Sequence, residues 1–419
     1  MVEFLYNLVY FILFGFYKIF LMFHPEIKRF HQSREEGKRR IQEFLNLNKG
    51  EKKIWLHASS AGELEQALAL NQFIKKKHPD IVILITVYSL SIKSLDKIPS
   101  EGSAYLPLDL WWQWNLKNLD FLAFITFTWD VFPNLLKNLR KKGCKTFLCS
   151  GAISKNSYKI KIPFLFRFLY NNFDGIGLVD EENYKNFTKV LHSKSIQITG
   201  DSRYDYIQYK LKHIAIENSV QKKLKLLKEI LILGSTYRTC EKEILPYLNL
   251  FIKKFPEVKI LIFPHKVEAN RFKELQQKLH QHHLKFLLFS DKNFFEDYKK
   301  FPIIIVDQLG FLAYAYFYSK ICYVGGGFHH RVHNTAEPAF CGSIPFTGPR
   351  IDSSPIAVQL SSKELLFSCS SGKEIVEKII DLYGNTQLLN SKREEIKKYI
   401  KAQTGATKKF YQVFLKEVL

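Results

Sequence analysis

The 419-residue sequence predicts an α/β protein with two Rossmann-like, doubly wound parallel-sheet domains behind one N-terminal apolar helix. Three observations predict this class. Short apolar runs alternate with helix-length amphipathic segments, and the alternation forms two successive series. Hydrophobic residues are 46% and charged residues 24% of the chain, which is a globular balance. Length divided by ~150 gives two to three domains, each able to bury a core without disulfides or metal ions.

The N-terminal segment, residues 1–25, is the first predicted element. Its apolar stretch, residues 4–23, is interrupted mainly by Asn7, Gly15 and Lys18, and its length suffices for a membrane span of ~20 residues. Glu3 and the lack of a small-residue cleavage site argue against a cleaved signal peptide. We therefore expect a membrane anchor. A spanning helix and an interfacial helix both remain open, and a buried amphipathic helix is the alternative.

The first predicted domain, residues 26–205, contains short apolar runs bounded by turn residues. The runs are typical of buried parallel strands, and a helical pattern such as that of residues 63–77 separates several of them. The predicted strands are residues 54–57, 81–88, 121–127, 146–149, 175–179 and 195–199. A polar, charged interdomain linker follows at residues 206–226.

The second predicted domain, residues 227–390, repeats the alternation. Its predicted strands are residues 229–233, 258–263, 284–289, 302–306, 321–324 and 344–346. Residues 391–419 are charged and helical in pattern, and we expect this segment to pack back across the domains. Ligands of doubly wound sheets bind beyond the carboxyl ends of the strands, so functional residues should follow strands, facing a cleft between the two domains.

The first such motif is Ser59-Ser60-Ala61-Gly62-Glu63, a turn after the first strand. Ser60 and Glu63 have the spacing of a capping box, in which the glutamate bonds back to the serine backbone amide. The functional alternative is that Glu63 acts as a general base toward an attacking hydroxyl, an effect of roughly 10²–10⁴ in rate. The local sequence leaves both interpretations open.

A second motif follows the first strand of the second domain: Gly234, Ser235 and Thr236. Small residues at this position let backbone amides approach a phosphate at a helix N-terminus. The motif is not a Walker loop, because the Gly-Lys-Ser/Thr ending is missing. Many turns between a strand and a helix have the same composition, so the motif by itself is not specific.

A third motif places His265, Lys266 and Arg271 after the next strand. These cationic side chains are suited to a phosphate or a sugar carboxylate, although a solvated loop would have the same composition. The interpretation as an anion site and the interpretation as a plain surface loop are both retained.

The fourth motif is the most specific, because it combines a glycine triplet with polar residues in a short stretch. The glycines follow a predicted strand: Gly325, Gly326 and Gly327. Glycines permit close approach of the backbone to a ligand. A predicted helix opens near Asn334 after His333, so its amides would face a phosphate, and Glu337 would accept hydrogen bonds from ribose hydroxyls. The alternative for Glu337 is a favourable charge in the first turn of that helix.

In their order along the chain, these motifs resemble the 3-deoxy-D-manno-octulosonic acid (Kdo) transferases of lipopolysaccharide biosynthesis. Further matches are Phe132-Pro133-Asn134, Ser154 with Ser157, and residues 200–205. The resemblance implies the GT-B fold and a glycosyltransferase that needs no cofactor and no metal. It implies an inverting transfer of Kdo from CMP-Kdo to a hydroxyl of a lipid A precursor (lipid IVA), at the cytoplasmic face of the inner membrane.

The resemblance also assigns roles to individual residues. Glu63 becomes the catalytic base. The donor contacts become Gly234, Ser235, Thr236, His265, Lys266, Gly325, Gly326, Gly327, His333, Asn334 and Glu337. The acceptor side becomes Ser59, Ser60, Gly62, Asp130 and Ser154.

The chain departs from the family pattern in several places. The family's Pro-Arg-His-Pro-Glu-Arg signature appears only in part, as Pro264-His265-Lys266-Val267-Glu268. Thr128 and Asp130 stand where the family has two glutamates, Ala152 stands where it has an arginine, and Val332 replaces a glycine. The use of a nucleotide sugar is therefore a firmer expectation than the identity of donor or acceptor. A GT-B glycosyltransferase with a different nucleotide-sugar donor or lipid acceptor is the alternative function.

The charge of the chain is its most unusual bulk property. Lys and Arg number 62 and Asp and Glu 40, which gives a net charge of +22. Nine of the basic residues lie within residues 137–167, where there is no acidic residue and where the aromatic segment 163–170 begins. This pattern favours an anionic membrane surface as partner. The basic residues within 28–40, which follow the predicted anchor, would keep the domains on the cytoplasmic side. A non-catalytic membrane or nucleic-acid binding protein is the remaining hypothesis, although we expect no nucleic acid.

The six scattered cysteines indicate reduced thiols.

Overall fold

The structure is a computed structural model that describes residues 2–21, 23–153, 161–191 and 195–419. The chain forms two compact units: Met1–Tyr206 with Gln403–Leu419 (unit 1), and Ile207–Ala402 (unit 2). Within the described residues, each unit is built on one seven-stranded sheet whose strand pairs are all parallel. The predicted α/β class with two doubly wound domains is confirmed.

The sheet of unit 1 has the strand order β3-β2-β1-β4-β5-β6-β7. Strands β1 to β7 are Lys53–Ala58, Val82–Val87, Gly102–Tyr105, Ala123–Phe127, Lys145–Gly151, Gly175–Leu178 and Ser195–Ile198. Six of them correspond to the predicted strands. The sequence prediction missed β3, because its residues Gly-Ser-Ala-Tyr contain no continuous apolar run.

The helices of unit 1 connect these strands and precede them. Helices α1 to α6 are Val2–Phe20, Pro25–Leu47, Ala61–Lys77, Pro133–Lys141, Pro163–Tyr170 and Glu181–Thr188. Proline occupies the first turn of α2, α4 and α5, where its missing N–H costs no helical hydrogen bond. Helix α7, Arg203–His213, carries the chain from unit 1 into unit 2.

The sheet of unit 2 has the strand order β10-β11-β9-β8-β12-β13-β14. Strands β8 to β14 are Ile230–Thr236, Lys259–Pro264, Phe286–Leu288, Ile303–Ile305, Ser319–Val324, Ile344–Thr347 and Phe367–Ser368. Helices α8 to α17 are Asn218–Leu226, Arg238–Ile244, Leu248–Lys254, Ala269–Gln281, Phe294–Asp297, Leu312–Ala315, Ala336–Phe340, Pro355–Ser361, Gly372–Gly384 and Thr386–Gln403. The two-residue strand β14 is too short to be found from a sequence pattern.

The segments expected to connect the two domains have regular structure. Residues 206–226 lie largely in α7 and α8. The C-terminal segment, residues 391–419, divides between the units: its first part continues α17, and residues 403–419 belong to unit 1. There it forms α18, Ala406–Phe410, followed by the π-helical turn Tyr411–Leu415.

The core of unit 1 is rich in aromatic side chains. Trp55 on the central strand β1 is fully buried, and its ring lies 5.2 Å from that of Phe121 and 5.4 Å from that of Phe124. On the other face of the sheet, Phe414 of the C-terminal segment packs 5.8 Å from Phe147. The last residues of unit 1 therefore complete its core.

Candidate functional site

The candidate residues of unit 1 come together because three strands are neighbours. Strands β1, β4 and β5 lie side by side in parallel, so their carboxyl ends meet at one edge of the sheet. The segments that leave this edge are residues 59–63, 128–130 and 150–152. Two of them contain residues assigned to the acceptor side or to catalysis, and the third contains Ala152.

Glu63 caps the helix in which it lies. The Ser60 backbone N–H donates to Glu63 Oε2 at 2.9 Å, and the Glu63 N–H donates to Ser60 Oγ at 3.3 Å. This arrangement is the complete capping box at the start of α3. The structural interpretation of the motif is therefore correct, and it leaves one carboxylate oxygen of Glu63 outside the box.

The Glu63 carboxyl group also lies against Asp130, to which it is hydrogen-bonded. Burial, followed by the charge of Asp130, raises the pKa of Glu63 well above its ordinary value. Two carboxyl groups in contact cannot both ionise easily, so the pair holds a proton close to neutral pH. Such a pair can accept a proton from a hydroxyl group more readily than an exposed carboxylate can.

A buried histidine that the sequence analysis did not single out, His57, lies on strand β1, just before the turn that leads to Glu63. The Trp55 indole N–H donates to Thr86 Oγ1 at 2.8 Å, and that hydroxyl lies 2.9 Å from Nδ1 of His57. Nε2 of His57 lies 3.1 Å from Ser59 Oγ, so both ring nitrogens have a hydroxyl partner. Burial lowers the pKa of His57 to about 3, so the ring is neutral and orients Ser59.

A second set of polar side chains supports the same edge of the sheet. Thr128 Oγ1 donates to Gln66 Oε1 at 3.1 Å, and Gln66 Nε2 donates to Asp201 Oδ1 at 2.9 Å. Burial disfavours the Asp201 anion, but the Arg203 guanidinium, 2.5 Å away, holds the pKa of Asp201 below its usual range. Thr128, at one of the family's acidic positions, thus takes part in a hydrogen-bond chain that ends at the ion pair of Asp201 and Arg203.

The remaining acceptor-side residues have different surroundings. A Cβ atom added to Gly62 would meet nothing within 4 Å, so no contact within the protein requires a glycine there. Ser59 is half-buried and Ser60 exposed at the turn before α3. Ser154, with Ser157, lies outside the described residues.

In unit 2 the candidate residues gather at the carboxyl ends of the adjacent strands β8, β9 and β12. The segment that follows β12 is hydrogen-bonded to the end of β8: the Gly325 N–H donates to the Gly234 carbonyl at 2.7 Å. A Cβ atom on Gly325 would lie 1.9 Å from the Ser235 carbonyl oxygen, and one on Gly326 would lie 2.1 Å from the Arg331 carbonyl oxygen. Gly326 also has a φ of +86°. The close approach that the glycines permit is therefore to the protein's own backbone.

Arg271 has a different role from the one that its motif suggested. It is buried and forms an ion pair with Glu241, which also accepts a hydrogen bond from Thr236 Oγ1 at 3.0 Å. Lys278 lies 3.2 Å from the same carboxylate. The charge of Arg271 therefore compensates a buried glutamate, a role that neither interpretation of its motif had considered. The Thr236 hydroxyl is engaged in this cluster too, and its carbonyl accepts from the backbone N–H of His265 at 2.9 Å.

Four rings form a cluster beside the glycine loop: Tyr237, His265, His330 and His333. The Tyr237 ring centroid lies 4.5 Å from that of His265 and 4.2 Å from that of His330, and the Tyr237 hydroxyl lies 3.0 Å from His333 Nε2. Burial, together with the neighbouring imidazoles, lowers the pKa of His333 to about 4, and burial also lowers that of His265. A bound anion would raise both pKa values, so this cluster is suited to phosphate. The sequence analysis missed Tyr237 and His330, which lie directly beside its motifs.

Asn334 and Glu337 are both held by neighbours in unit 2. The Asn334 side-chain oxygen accepts from the backbone N–H of Ala336 at 2.9 Å, so it caps the five-residue helix α14. Glu337 Oε1 lies 2.6 Å from Lys210 Nζ of α7. The sequence analysis missed Lys210, because nothing in the local pattern of α7 indicates a distant carboxylate partner.

Two doubly wound parallel domains with functional residues at their strand ends define the GT-B class of proteins. Solved structures with the same fold include the UDP-GlcNAc 2-epimerase of Neisseria meningitidis, with a TM-score of 0.57 and 14% identity over 87% of this chain and 100% of that chain. MurG of Acinetobacter baumannii has a TM-score of 0.52 and 15% identity over 87% of this chain and 99% of that chain. At these identities the likeness shows the fold alone.

Within this class, residues 29–206 match the family described as 3-deoxy-D-manno-octulosonic-acid transferase (kdotransferase). The transferase of that name from Chlamydia pneumoniae is 26% identical over 84% of this chain and 82% of its own length. The one from Rickettsia felis is 24% identical over 87% of this chain and 79% of its own length. These matches confirm the resemblance to the Kdo transferases and the predicted enzyme class, a glycosyltransferase.

Proposed function

We propose that the protein transfers Kdo from CMP-Kdo to a hydroxyl group of the lipid A precursor lipid IVA, with inversion and without a metal ion. The observation that carries this proposal is the carboxyl pair formed by the buried Glu63, at the start of α3, and the half-buried Asp130, in a chain whose residues 29–206 match the Kdo transferase family. That pair supplies the general base that a sugar transfer to a hydroxyl group requires.

In the proposed reaction, the acceptor oxygen forms a bond to the anomeric carbon of Kdo. The bond between that carbon and the phosphate oxygen breaks, and CMP leaves with the bonding electron pair. Glu63 takes the proton of the acceptor hydroxyl, while its second oxygen stays bonded to the Ser60 N–H. Because the attack comes from the face opposite the leaving group, the product has the inverted configuration.

Unit 2 contains groups suited to the CMP part of the donor. The backbone at residues 234–236, His265 and Lys266 would stabilise the phosphate charge, and this role needs no metal ion when donors are already oriented. Glu337, with its charge balanced by Lys210, would accept hydrogen bonds from the ribose hydroxyls. The short turn capped by Asn334 would add backbone N–H donors. These roles follow from the family resemblance and are consistent with the local geometry.

We place the reaction at the cytoplasmic face of the inner membrane, where a lipid acceptor is available. Within the described residues, α1 is long and apolar enough to cross a bilayer. The basic residues that follow it, among them the exposed Lys28 and Arg29, favour the cytoplasmic side by the positive-inside tendency. An anionic membrane surface is therefore the third proposed partner, beside CMP-Kdo and the lipid A precursor.

The test is a transfer assay with CMP-Kdo and a tetraacylated disaccharide bisphosphate, followed by the mass of the lipid product. We expect the wild type to add Kdo and Glu63→Gln to lose roughly 10²–10⁴ in rate. Glutamine keeps the capping oxygen, so the variant should fold. Glu65→Gln, on the same helix, is the matched control. Equal turnover by Glu63→Gln would refute the base assignment. Binding of another nucleotide sugar without turnover of CMP-Kdo would favour a changed donor.

A further inference from the structure

Helix α1 lies along unit 1 and contacts it through one face. Its half-buried residues recur at intervals of three and four, which places them on a single side of the helix: Tyr6, Asn7, Tyr10, Phe14 and Tyr17. The tyrosine hydroxyl groups of α1 and the Asn7 amide lie on this side. The face that meets the protein is therefore the less apolar one, the reverse of an ordinary surface helix.

The contacts begin at the first turn of α1. Glu3 forms an ion pair with Lys137 of α4. The Tyr6 hydroxyl donates to Asp109 Oδ2 at 3.0 Å, and Asp109 is itself buried. Asp109 also accepts from the backbone N–H of Leu135 at 2.9 Å, so it joins α1 to the N-terminus of α4. The first half of α1 is thus bonded into the framework of unit 1.

The contacts continue to the last turn. The Phe14 ring lies 5.7 Å from that of Trp112, and the Tyr17 ring lies 5.8 Å from that of His31 on α2. Lys18 Nζ lies 3.4 Å from His31 Nε2. A helix of 19 residues is about 28 Å long, and α1 is held at both ends of that length. If α1 crossed a bilayer, the polar groups that it contacts would have to enter the hydrocarbon with it, which is strongly unfavourable.

The opposite face of α1 is apolar and exposed. Its large exposed side chains are Phe4, Leu5, Leu8, Val9, Phe11, Ile12, Leu13, Phe16, Ile19 and Phe20. Two further exposed aromatic residues, Trp111 and Phe164, lie next to segments that contact α1. A contiguous apolar surface of this extent marks a site of association with a membrane or a protein.

We propose that α1 lies in the plane of an anionic bilayer surface, with its apolar face among the acyl chains and unit 1 resting on the headgroups. The inference deepens the membrane association proposed above and does not depend on the transfer reaction.

Charge favours a bilayer over a second copy of the chain as the occupant of this face. Exposed basic side chains flank α1 on neighbouring elements: Lys28, Arg29, Lys137, Arg140, Lys141 and Lys161. Two copies would bring these like charges together, whereas an anionic leaflet attracts each of the cations. The only acidic residue of α1, Glu3, is neutralised by Lys137.

The test measures the depth of three labels in vesicles of phosphatidylethanolamine and phosphatidylglycerol, without CMP-Kdo. Leu5→Cys, Ile12→Cys and Ile19→Cys place an environment-sensitive fluorophore on the apolar face at the start, middle and end of α1. The six native cysteines are buried, which disfavours their labelling. Brominated lipids, with the bromine shallow or deep in the chain, report depth by quenching. We expect all three labels to lie at the same shallow depth.

Three outcomes would overturn the proposal. A deep Ile12 label between two shallow ones would show a spanning helix. Unquenched labels together with concentration-dependent self-association would show that a second copy covers the face. Equal binding to phosphatidylcholine vesicles would refute the anionic surface. Leu47→Cys, 85% exposed at the far end of α2, is the control and should stay in water. A failed transfer assay would leave this result unaffected.

Discussion

At the scale of single residues, Glu63 forms the capping box that the sequence predicts and also meets a carboxyl group from a distant segment. Its backbone N–H and one side-chain oxygen complete the capping box with Ser60, and its carboxyl group forms a pair with Asp130. The cap fixes the rotamer of Glu63, and the pair raises its pKa. A rigid, poorly solvated carboxyl group is what a general base at near-neutral pH requires.

The first prediction concerns the pH dependence of this base. Only deprotonated Glu63 can accept a proton, so the rate of transfer should fall as pH drops through its raised pKa. Asp130→Asn removes the neighbouring negative charge, lowers the pKa of Glu63 and should shift this acidic limb to lower pH. Initial rates between pH 4 and pH 9 measure the shift. The exposed Asp80→Asn is the control, and an unshifted limb in Asp130→Asn would contradict the coupling.

The second prediction concerns Arg271. Removing one partner of a buried ion pair leaves the other charge uncompensated, which typically costs about 3–5 kcal/mol. Arg271→Met should therefore lower the free energy of unfolding of unit 2 by up to about that amount, because Glu241 stays buried with only Lys278 as its remaining cationic partner. Denaturant titration measures the change. Arg238→Met removes an exposed ion pair with Glu274 and should have little effect. Equal effects of the two variants would show that Arg271 is not a structural cation.

At the scale of elements, Asp109 connects α1, α4 and the turn that contains Trp114. Its carboxylate accepts hydrogen bonds from Tyr6, from Trp114 Nε1 at 2.8 Å and from two backbone N–H groups at the start of α4. It thus caps a helix whose own N-cap residue, Phe132, has no side-chain acceptor. A remote residue performs the capping that the local sequence lacks.

The third prediction tests this connection. Asp109→Ala leaves several buried donors without an acceptor, and each such group costs about 1–3 kcal/mol. We expect the free energy of unfolding of unit 1 to fall by at least ~2 kcal/mol. Thermal and denaturant melts measure the change. Asp96→Ala removes a side chain that is 84% exposed and serves as the control. A loss no larger than that of the control would contradict the role of Asp109.

Most elements could be predicted because their apolar runs are local. Twelve strands correspond to runs such as residues 81–88 and 258–263, and parallel strands buried on both faces need such runs. Strands β3 and β14 escaped prediction, since β3 is a short edge strand of small residues and β14 has only two residues. The motifs were found for the same local reason, whereas Asp109, Thr86 and Lys210 were not.

At the scale of the whole molecule, the end of the chain belongs to the core of unit 1. Residues 403–419 leave unit 2 and place Phe410 and Phe414 against the sheet. A Cβ atom on Gly175 would lie 2.5 Å from Phe414, so the glycine makes room for that ring. The folding of unit 1 therefore depends on residues that follow unit 2 in the sequence.

The fourth prediction follows from this return of the chain. Phe414→Ala should lower the free energy of unfolding of unit 1 by about 3–5 kcal/mol, as is typical of a large aromatic residue removed from a core. Val413→Ala is the matched control, because the Val413 side chain, next to Phe414 in the chain, is exposed. Denaturant titration measures the free energy of unfolding of both variants. Similar stabilities would show that the C-terminal segment contributes little to unit 1.

The sequence by itself determined the fold class, the two series of strands, the capping motif at Glu63 and the family. Each of these depends on residues close together in the chain or on motifs in a fixed order. Only the tertiary structure decided that Arg271 neutralises Glu241, that Asp130 lies against Glu63, and that α1 is held along its polar face. These facts depend on partners distant in sequence, and the physical effect of a charge is set by the neighbours with which it is buried.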